Sequence, residues 1–247
     1  MSLLRWLRRT PVIAAIALAQ PAAAFAPHAV EPPGTVLLLH GLGRSADSMR
    51  LFEQALAARG YEVCNVDYPS TRAGVEELAE LLAEEVSRCR AGSAAPLHFV
   101  SHSLGGIVVR AYLGEYRPRN LGRVVMLAPP NGGSEWVDAF RDTWLVTLAG
   151  PAARELGTDP ESAPRRLGAV DFELGVLIGD RSWNPLGSWL IPGDDDGTVA
   201  VASARVEGMA DFRVVHENHT FIVTSPQAVW QSIHFLEHGS FAGETEE

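Results

Sequence analysis

Residues 97–107 have the sequence LHFVSHSLGGI, and this stretch decides the fold class. An apolar run typical of a buried strand leads into a tight turn with Ser103 at its tip, and an apolar helix begins directly afterwards. A serine in such a strand–turn–helix corner is held in a strained turn with its hydroxyl exposed. Gly105 lets the strand and helix backbones approach closely, whereas Ser101 stands where glycine is usual. The alternative interpretation is that Ser103 is only a helix N-cap.

Strand-like and helix-like segments alternate on both sides of this stretch. The strands are predicted at Thr35–Leu39, 61–66, 97–101, 124–127 and 174–178, and the helices at 48–59, Val75–Arg90, 104–116 and 226–238. This alternation predicts an α/β fold with a mostly parallel central sheet and helices on both faces. In such sheets ligands bind beyond the carboxyl ends of the strands, so chemistry is expected at those ends.

Length and charge restrict the class of protein further. The 247 residues fit one large domain, and a hydrophobic content of 47% is enough to fill a sizeable core. The formal net charge of −10 argues against nucleic acid and against an anionic membrane surface as the main partner.

The first residues have the pattern of an export signal. Arg5, Arg8 and Arg9 precede an apolar run at 11–19, which is too short to span a bilayer, and small residues follow at 22–24. We therefore predict a signal peptide at 1–26, a mature domain at 27–247 and a periplasmic or secreted location. No stable membrane anchor is expected after cleavage; the alternative is an uncleaved anchor.

Cys64 and Cys89 are the two cysteines of the chain. In an oxidising compartment such a pair can form a disulfide, and a helix returning antiparallel to its strand would bring the two close. The alternative is two independent thiols.

A nucleophilic serine needs a base, and the base needs an orienting carboxylate. In folds with this corner the chain order is serine, acid, histidine. The segment 192–199, PGDDDGTV, offers Asp196, with Asp195 as the second choice. Three adjacent carboxylates also match a calcium site, which is the alternative interpretation.

Two histidines follow a short strand in the segment 214–221, VVHENHTF. His219 lies in the loop after the strand, which suits a base reaching the serine, and His216 at the strand end is the second choice. No H-E-x-x-H pattern or cysteine partner supports zinc, so no metal site is predicted.

Two backbone N–H groups are candidates for stabilising a developing oxyanion. Leu104 follows the serine at the N-terminus of a helix, where backbone N–H groups are free. Leu42 lies in the loop HGLG at 40–43, directly after the first strand. His40 is expected to be a structural residue.

The segment 129–170 interrupts the alternation and contains three aromatic residues, Trp136, Phe140 and Trp144. Its position between two strands suits a small cap over the site. We predict that these aromatics line an acyl pocket; alternatively, they only anchor surface helices.

Four motifs together resemble the α/β-hydrolase superfamily and are most similar to small bacterial lipases and esterases: HGLG at 40–43, SHSLGG at 101–106, D-G-x-V at 196–199 and NHT at 218–220. The resemblance covers roughly residues 34–238, with 129–170 matching only in position. It implies Ser103 as nucleophile, His219 as base and Asp196 as orienting acid, with Leu42 and Leu104 as oxyanion donors.

The same resemblance implies hydrolysis of a small-molecule or lipid acyl ester through an acyl-enzyme, without a cofactor. Thioester, amide or acyl-transfer chemistry on the same residues is the alternative within enzymes. A binding protein that has kept the fold without its chemistry is the alternative outside them.

Overall fold

Six short segments pair side by side in one parallel sheet, ordered β2-β1-β3-β4-β5-β6. The computed structural model describes residues 33–90, 93–183 and 185–243, so the predicted signal peptide lies outside the described residues. The strands are β1 (Thr35–Leu39), β2 (Glu62–Val66), β3 (Leu97–His102), β4 (Leu121–Leu127), β5 (Leu174–Gly179) and β6 (Asp211–Val215). The predicted fold class is confirmed, and β4 begins three residues earlier than the sequence pattern indicated.

Nine α-helices connect and cover the described strands. They are α1 (Arg50–Ala58), α2 (Val75–Arg90), α3 (Leu104–Tyr116), α4 (Glu135–Phe140), α5 (Trp144–Ala149), α6 (Pro151–Arg154), α7 (Ala163–Arg166), α8 (Pro185–Leu190) and α9 (Pro226–His238). α1 packs with α9, and α2 packs with α3. The predicted helix at 48–59 is divided, because a 3-10 turn at Ala46–Met49 precedes α1.

The central strands explain why their sequences are continuously apolar. Every residue of β1, β3 and β5 is buried, as expected for strands covered by helices on both faces. The edge strands β2 and β6 are partly exposed and accordingly carry polar residues. The core therefore lies on both faces of the middle of the sheet.

A disulfide joins Cys64 on β2 to Cys89 near the end of α2. The chain returns along α2 towards the edge of the sheet where β2 began, which brings the two residues together. Of the two alternatives that the sequence left open, the structure has the disulfide and not two independent thiols.

The insertion between β4 and β5 contains four short helices, α4 to α7. Arg110 on α3 holds it: its buried guanidinium donates to Asn131 Oδ1 at 3.1 Å and to the carbonyls of Pro164 and Gly168. No carboxylate among the described residues pairs with it, and burial lowers the pKa of Arg110 to about 10. The two ends of the insertion are thus fixed to the helix that follows Ser103.

Candidate active site

The direction of the chain across the sheet reverses between β1 and β3. After β1 the chain crosses to β2 at one edge, and after β2 it returns past β1 to β3. The loops that leave the carboxyl ends of β1 and β3 therefore diverge and leave a crevice, the usual ligand position in such sheets. Ser103 directly follows β3, and the loop 40–43 directly follows β1.

Ser103 occupies a backbone conformation that residues with a side chain rarely adopt. Its φ is 53° and its ψ is −122°, a left-handed region that is strained for a non-glycine residue. Gly105 permits the corner, because a Cβ there would lie 2.9 Å from the carbonyl oxygens of Leu39 and His40. A hydrogen bond to the end of β4 also holds the turn, since the Ser103 N–H donates to the Leu127 carbonyl at 2.9 Å.

One hydrogen-bonded chain connects the serine to a buried carboxylate. His219 Nδ1 lies 2.8 Å from Asp196 Oδ2, and His219 Nε2 lies 3.0 Å from Ser103 Oγ. Because the carboxylate only accepts, Nδ1 carries the proton and donates it to Asp196, while Nε2 accepts from the Ser103 hydroxyl. The imidazole is therefore oriented to take the hydroxyl proton.

The Asp196 carboxylate is fully buried and fixed by backbone donors. Its Oδ1 accepts hydrogen bonds from the N–H groups of Thr198 and Val199 at 3.0 and 2.8 Å. The backbone carbonyl of Asp196 accepts the His219 N–H at 2.9 Å. The turn that supplies these donors passes through Gly197, whose φ is +96°. No helix follows directly; the tight turn closes the loop.

Asp195 and His216, the two second choices, point elsewhere. Asp195 Oδ1 accepts from Ser188 Oγ at 2.9 Å and from the Gly197 N–H at 2.7 Å. His216 bonds to Asp180 at 2.9 Å, and 77% of its side chain is exposed. Neither side chain bonds to the Ser103 hydroxyl.

Leu104 and Leu42 are both close to the serine, Leu104 as the next residue in the chain and Leu42 in the wall of the same cavity. Leu104 is the first residue of α3, so its N–H has no partner within the helix. Leu42 lines the same cavity as Ser103. Among the described residues, neither N–H donates to another group of the chain. Both are thus free to bind an oxyanion.

A cavity of about 190 Å³ opens at Ser103 and His219, and its wall is largely apolar. The insertion supplies most of this wall through Trp136, Val137, Val146, Ala149, Ala153 and Leu156. The space therefore suits a short hydrocarbon chain lying next to the serine.

The sequence of residues 36–232 matches the family model described as Alpha/beta hydrolase family. The chain belongs to the α/β-hydrolase family. No curated protein matches the sequence. The topology, the serine corner and the family model agree with the resemblance noted in the sequence.

Solved structures similar to this α/β-hydrolase include lipases. The mature form of the Bacillus licheniformis lipase BlEst2 has a TM-score of 0.69 and 19% identity, over 86% of this chain and 94% of that chain. Phospholipase PlaB from Legionella pneumophila has a TM-score of 0.66 and 18% identity, over 84% of this chain and 60% of that chain. Aspergillus fumigatus lipase B has a TM-score of 0.62 and 15% identity, over 87% of this chain and 55% of that chain. At these identities the likeness shows the fold.

Of the three aromatics predicted for the acyl pocket of this hydrolase, only Trp136 lines the cavity. Phe140 packs against Trp136 instead, with ring centroids 4.8 Å apart. Trp144 exposes 69% of its surface. Trp144 is the first residue of α5, whose cavity-facing positions are Val146 and Ala149, so its ring lies outside.

Sequence analysis missed two residues at the site. His102 is buried, and its Nε2 donates to the His219 carbonyl at 2.9 Å. Burial lowers the pKa of His102 well below its ordinary value, which keeps the ring neutral. Arg44 lines the mouth of the cavity and donates to Thr220 Oγ1 at 3.2 Å. The sequence offered one indication for each residue: His102 directly precedes Ser103, and Arg44 directly follows the loop 40–43.

His40 has a structural place, as expected for it. It is fully buried, stacks on Tyr68 and donates from Nδ1 to the Gly41 carbonyl at 2.8 Å. Among the described residues no group of three His, Cys, Asp or Glu side chains is arranged to hold a metal ion. Within the same residues, none of the helices has the length and apolar character for crossing a membrane.

Proposed function

We propose that this hydrolase cleaves carboxylic esters through a catalytic triad of Ser103, His219 and Asp196. The observation that supports this most is the continuous hydrogen-bonded chain from Asp196 through His219 to a hydroxyl that opens on an apolar cavity. The same constellation performs acyl transfer on several unrelated folds.

In the proposed reaction, Ser103 Oγ attacks the acyl carbonyl while His219 Nε2 takes the hydroxyl proton. Asp196 stabilises the imidazolium that forms. The carbonyl oxygen becomes an oxyanion that accepts from the N–H groups of Leu42 and Leu104, and such donors are each worth about 3 kcal/mol of barrier height. The tetrahedral carbon then releases the alcohol oxygen, which receives the proton from His219.

The acyl-enzyme is hydrolysed by the same groups in reverse roles. His219 takes a proton from water, the hydroxide oxygen attacks the Ser103 ester, and the serine leaves with the proton returned by His219. The products are a carboxylic acid and an alcohol. No cofactor is needed.

Small-molecule or lipid acyl esters are the proposed substrates. The apolar wall formed by Val137, Val146 and Leu156 supports an acyl chain in the cavity. Thioesters and anilides are the competing acyl donors, and a panel of matched butyryl p-nitrophenyl ester, thioester and anilide separates them. An acyl acceptor other than water is the other alternative, which the same ester tests in the presence of added alcohol, with the new ester and the free acid as products. We expect the ester to have the highest kcat/KM.

Labelling with a fluorophosphonate tests the nucleophile directly. We expect mass spectrometry to find the probe on Ser103 in the wild type and no labelling in Ser103→Ala. Ser134→Ala is the matched control, because Ser134 lines the same cavity but donates its hydroxyl to the Thr198 carbonyl. Labelling that persists in Ser103→Ala would exclude the proposal.

Two histidine variants test the base. We expect His219→Ala to abolish nearly all ester turnover and His216→Ala to retain it, since His216 bonds to Asp180 at the surface. The reverse result would transfer the role of base to His216.

We also propose that the protein is exported. The disulfide between Cys64 and Cys89 supports an oxidising compartment. N-terminal sequencing of the protein recovered from the periplasm or medium is expected to begin at about residues 25–27, where the predicted signal peptide ends. A full-length chain retained in the cytoplasm would refute this.

A further inference from the structure

A second cleft lies beside the acyl cavity, and Arg44 lines both. This cleft has a volume of about 480 Å³ and a wall that is slightly more polar than apolar. It is formed by the loop after β1 and the loop after β2, which contribute Gly43, Arg44, Ser45, Asp67, Tyr68, Pro69, Ser70, Thr71 and Arg72. An ester whose carbonyl lies at Ser103 and whose acyl chain fills the apolar cavity can thus extend its alcohol past Arg44 into this cleft.

A hydrogen bond between the two loops fixes the shape of the cleft. Gly43 has a φ of +65°, a left-handed conformation that favours glycine, and its N–H donates to Ser70 Oγ at 3.0 Å. This bond joins the two loops that form the cleft. Arg44 follows directly, and its own N–H donates to the Gly41 carbonyl at 3.2 Å, so the backbone that carries Arg44 is fixed by hydrogen bonds.

The cleft carries two cations whose charge is not neutralised locally. Arg44 and Arg72 are both exposed, and no carboxylate among the described residues lies within ion-pair distance of either guanidinium. Among the described residues, the Arg44 guanidinium donates a hydrogen bond to the hydroxyl of Thr220, the neighbour of His219. The whole chain has a net charge of −10, so two neighbouring arginines without a carboxylate partner at this cleft differ in sign from the overall charge.

Asp67 is the acidic residue among the described residues that line the cleft, and one oxygen of its carboxylate already has partners. Its Oδ1 accepts the Ala46 N–H at 3.1 Å and lies 3.4 Å from Nε2 of His40. The charged side chains that line the cleft are therefore two cations and one anion.

We infer that the cleft around Arg44 and Arg72 binds an anionic group on the alcohol part of the substrate, of which a phosphate is the best match. Guanidinium groups bind phosphate oxygens through paired, charge-assisted hydrogen bonds, and the hydroxyls of Ser45 and Thr71 offer neutral donors. The inference rests on the proposed ester hydrolysis and specifies its substrate class.

Three butyryl esters with the same acyl group and different alcohols test the inference: those of sn-glycerol 3-phosphate, glycerol and choline. We expect kcat/KM to be about tenfold higher for the phosphate ester than for the glycerol ester, and lowest for the cationic choline ester. The preference is expected to shrink when ionic strength rises from about 0.1 M to about 1 M, because the Debye length falls from ~10 Å to ~3 Å.

The ratio of kcat/KM between the phosphate and glycerol esters is the readout for variants, since it divides out any loss common to both substrates. Arg44→Gln and Arg72→Gln are each expected to lower the ratio severalfold, and the double variant to bring it close to one. Arg88→Gln is the matched control, because Arg88 is an exposed arginine on α2 paired with Glu85. A wild-type ratio of one or less, or a ratio unaffected by Arg44→Gln, overturns the inference.

A binding measurement separates this inference from the ester hydrolysis itself. We expect ligand-observed NMR to detect sn-glycerol 3-phosphate on Ser103→Ala but not on the variant that also carries Arg44→Gln and Arg72→Gln. If glycerol butyrate is hydrolysed while sn-glycerol 3-phosphate fails to bind, the proposed function stands and the anion subsite is rejected. If sn-glycerol 3-phosphate binds while no ester is turned over, the subsite stands and the ester hydrolysis is rejected.

Discussion

His102 Nε2 donates a hydrogen bond of 2.9 Å to the backbone carbonyl of His219, so the residue before the serine holds the loop of the proposed base. The other edge of its ring faces the loop after β1, because a Cβ at Gly41 would lie 2.7 Å from His102 Nδ1. A single neutral ring therefore separates and positions the loops of His219 and Leu42.

We expect His102→Leu to lower kcat for a butyryl ester about tenfold, the effect of one lost hydrogen bond. KM should change little, since the cavity keeps its apolar wall. His102→Gln should recover most of kcat, because its amide can donate to the same carbonyl. If His102 served only to stabilise the fold, both variants would lose stability to the same extent and kcat would not recover in His102→Gln. Chemical denaturation measures the stability of each variant.

Asp196→Asn is expected to lower kcat by about 10⁴-fold, since an amide favours the wrong tautomer of His219. Asp195→Asn is the matched neighbour, and its carboxylate bonds to Ser188 and the Gly197 N–H instead. Its kcat should stay within about tenfold of the wild type, as expected for loss of one hydrogen bond. Steady-state kinetics of the pair would contradict the assignment if Asp195→Asn were the more damaging change.

Ala149→Leu should shorten the acyl chains that the enzyme accepts. Ala149 lines the cavity, so three added carbons reduce the space beside Val146. We expect the ratio of kcat/KM for octanoyl over acetyl p-nitrophenyl esters to fall at least tenfold, since each buried methylene is worth about 0.8 kcal/mol. Leu148→Ala is the control on the same helix, because Leu148 is 71% exposed and should leave the ratio unchanged.

Replacing both Cys64 and Cys89 by serine should lower the free energy of unfolding by about 3 kcal/mol, since the disulfide closes a loop with a sequence separation of 25. The denaturant midpoint measures this loss. Wild-type protein with its disulfide reduced should match the double variant, and the double variant should not respond to reductant. Equal midpoints for oxidised wild type and double variant would refute the prediction.

His98 should make the protein sensitive to acid. It is buried in β3 and accepts the Arg123 N–H at Nδ1, and burial lowers its pKa to about 4. In the unfolded chain a histidine has a pKa of about 6.5, so between pH ~4 and pH ~6.5 the unfolded chain binds more protons than the folded one. The contribution of His98 to the free energy of unfolding is therefore fully present above pH ~6.5 and falls towards pH ~4. The loss due to this group at pH ~5 is about 2 kcal/mol.

Denaturation at several pH values tests this dependence with His98→Asn, which keeps an acceptor but does not titrate. Its free energy of unfolding should vary less between pH ~6.5 and pH ~4 than that of the wild type. His238→Asn, at an exposed position on α9, serves as the control and should keep the wild-type slope. The same slope in His98→Asn as in the wild type would show that other groups cause the acid sensitivity.

The regular elements could be predicted from the sequence because their patterns are local. The bounds of β1, α2 and α9 are those expected, since continuous apolar runs and helical spacing depend on neighbouring residues alone. The corner at Ser103 was predictable for the same reason. β4 was underestimated because its first residues are only half-buried and lack the apolar run.

Other features depended on contacts between distant segments. The sequence favoured Asp196 over Asp195, but which carboxylate faces His219 is decided by the turn at Gly197. In α5, six residues are too few for helical spacing to indicate a face, so Trp144 was placed in the pocket, whereas Val146 and Ala149 line it. The contact of His102 with the His219 loop joins residues more than a hundred positions apart, and no local pattern indicates it.

The buried guanidinium of Arg110 has a consequence for how a substrate enters. It bonds to Asn131 at the beginning of the insertion and to Pro164 and Gly168 near its end. Swinging the insertion outward as one piece would leave a charged group without acceptors in an apolar interior, which is costly. A substrate is therefore expected to enter beside Leu42 and Arg44 while the insertion stays in place. A wider acyl specificity would then evolve by replacement of residues in α5 and α6.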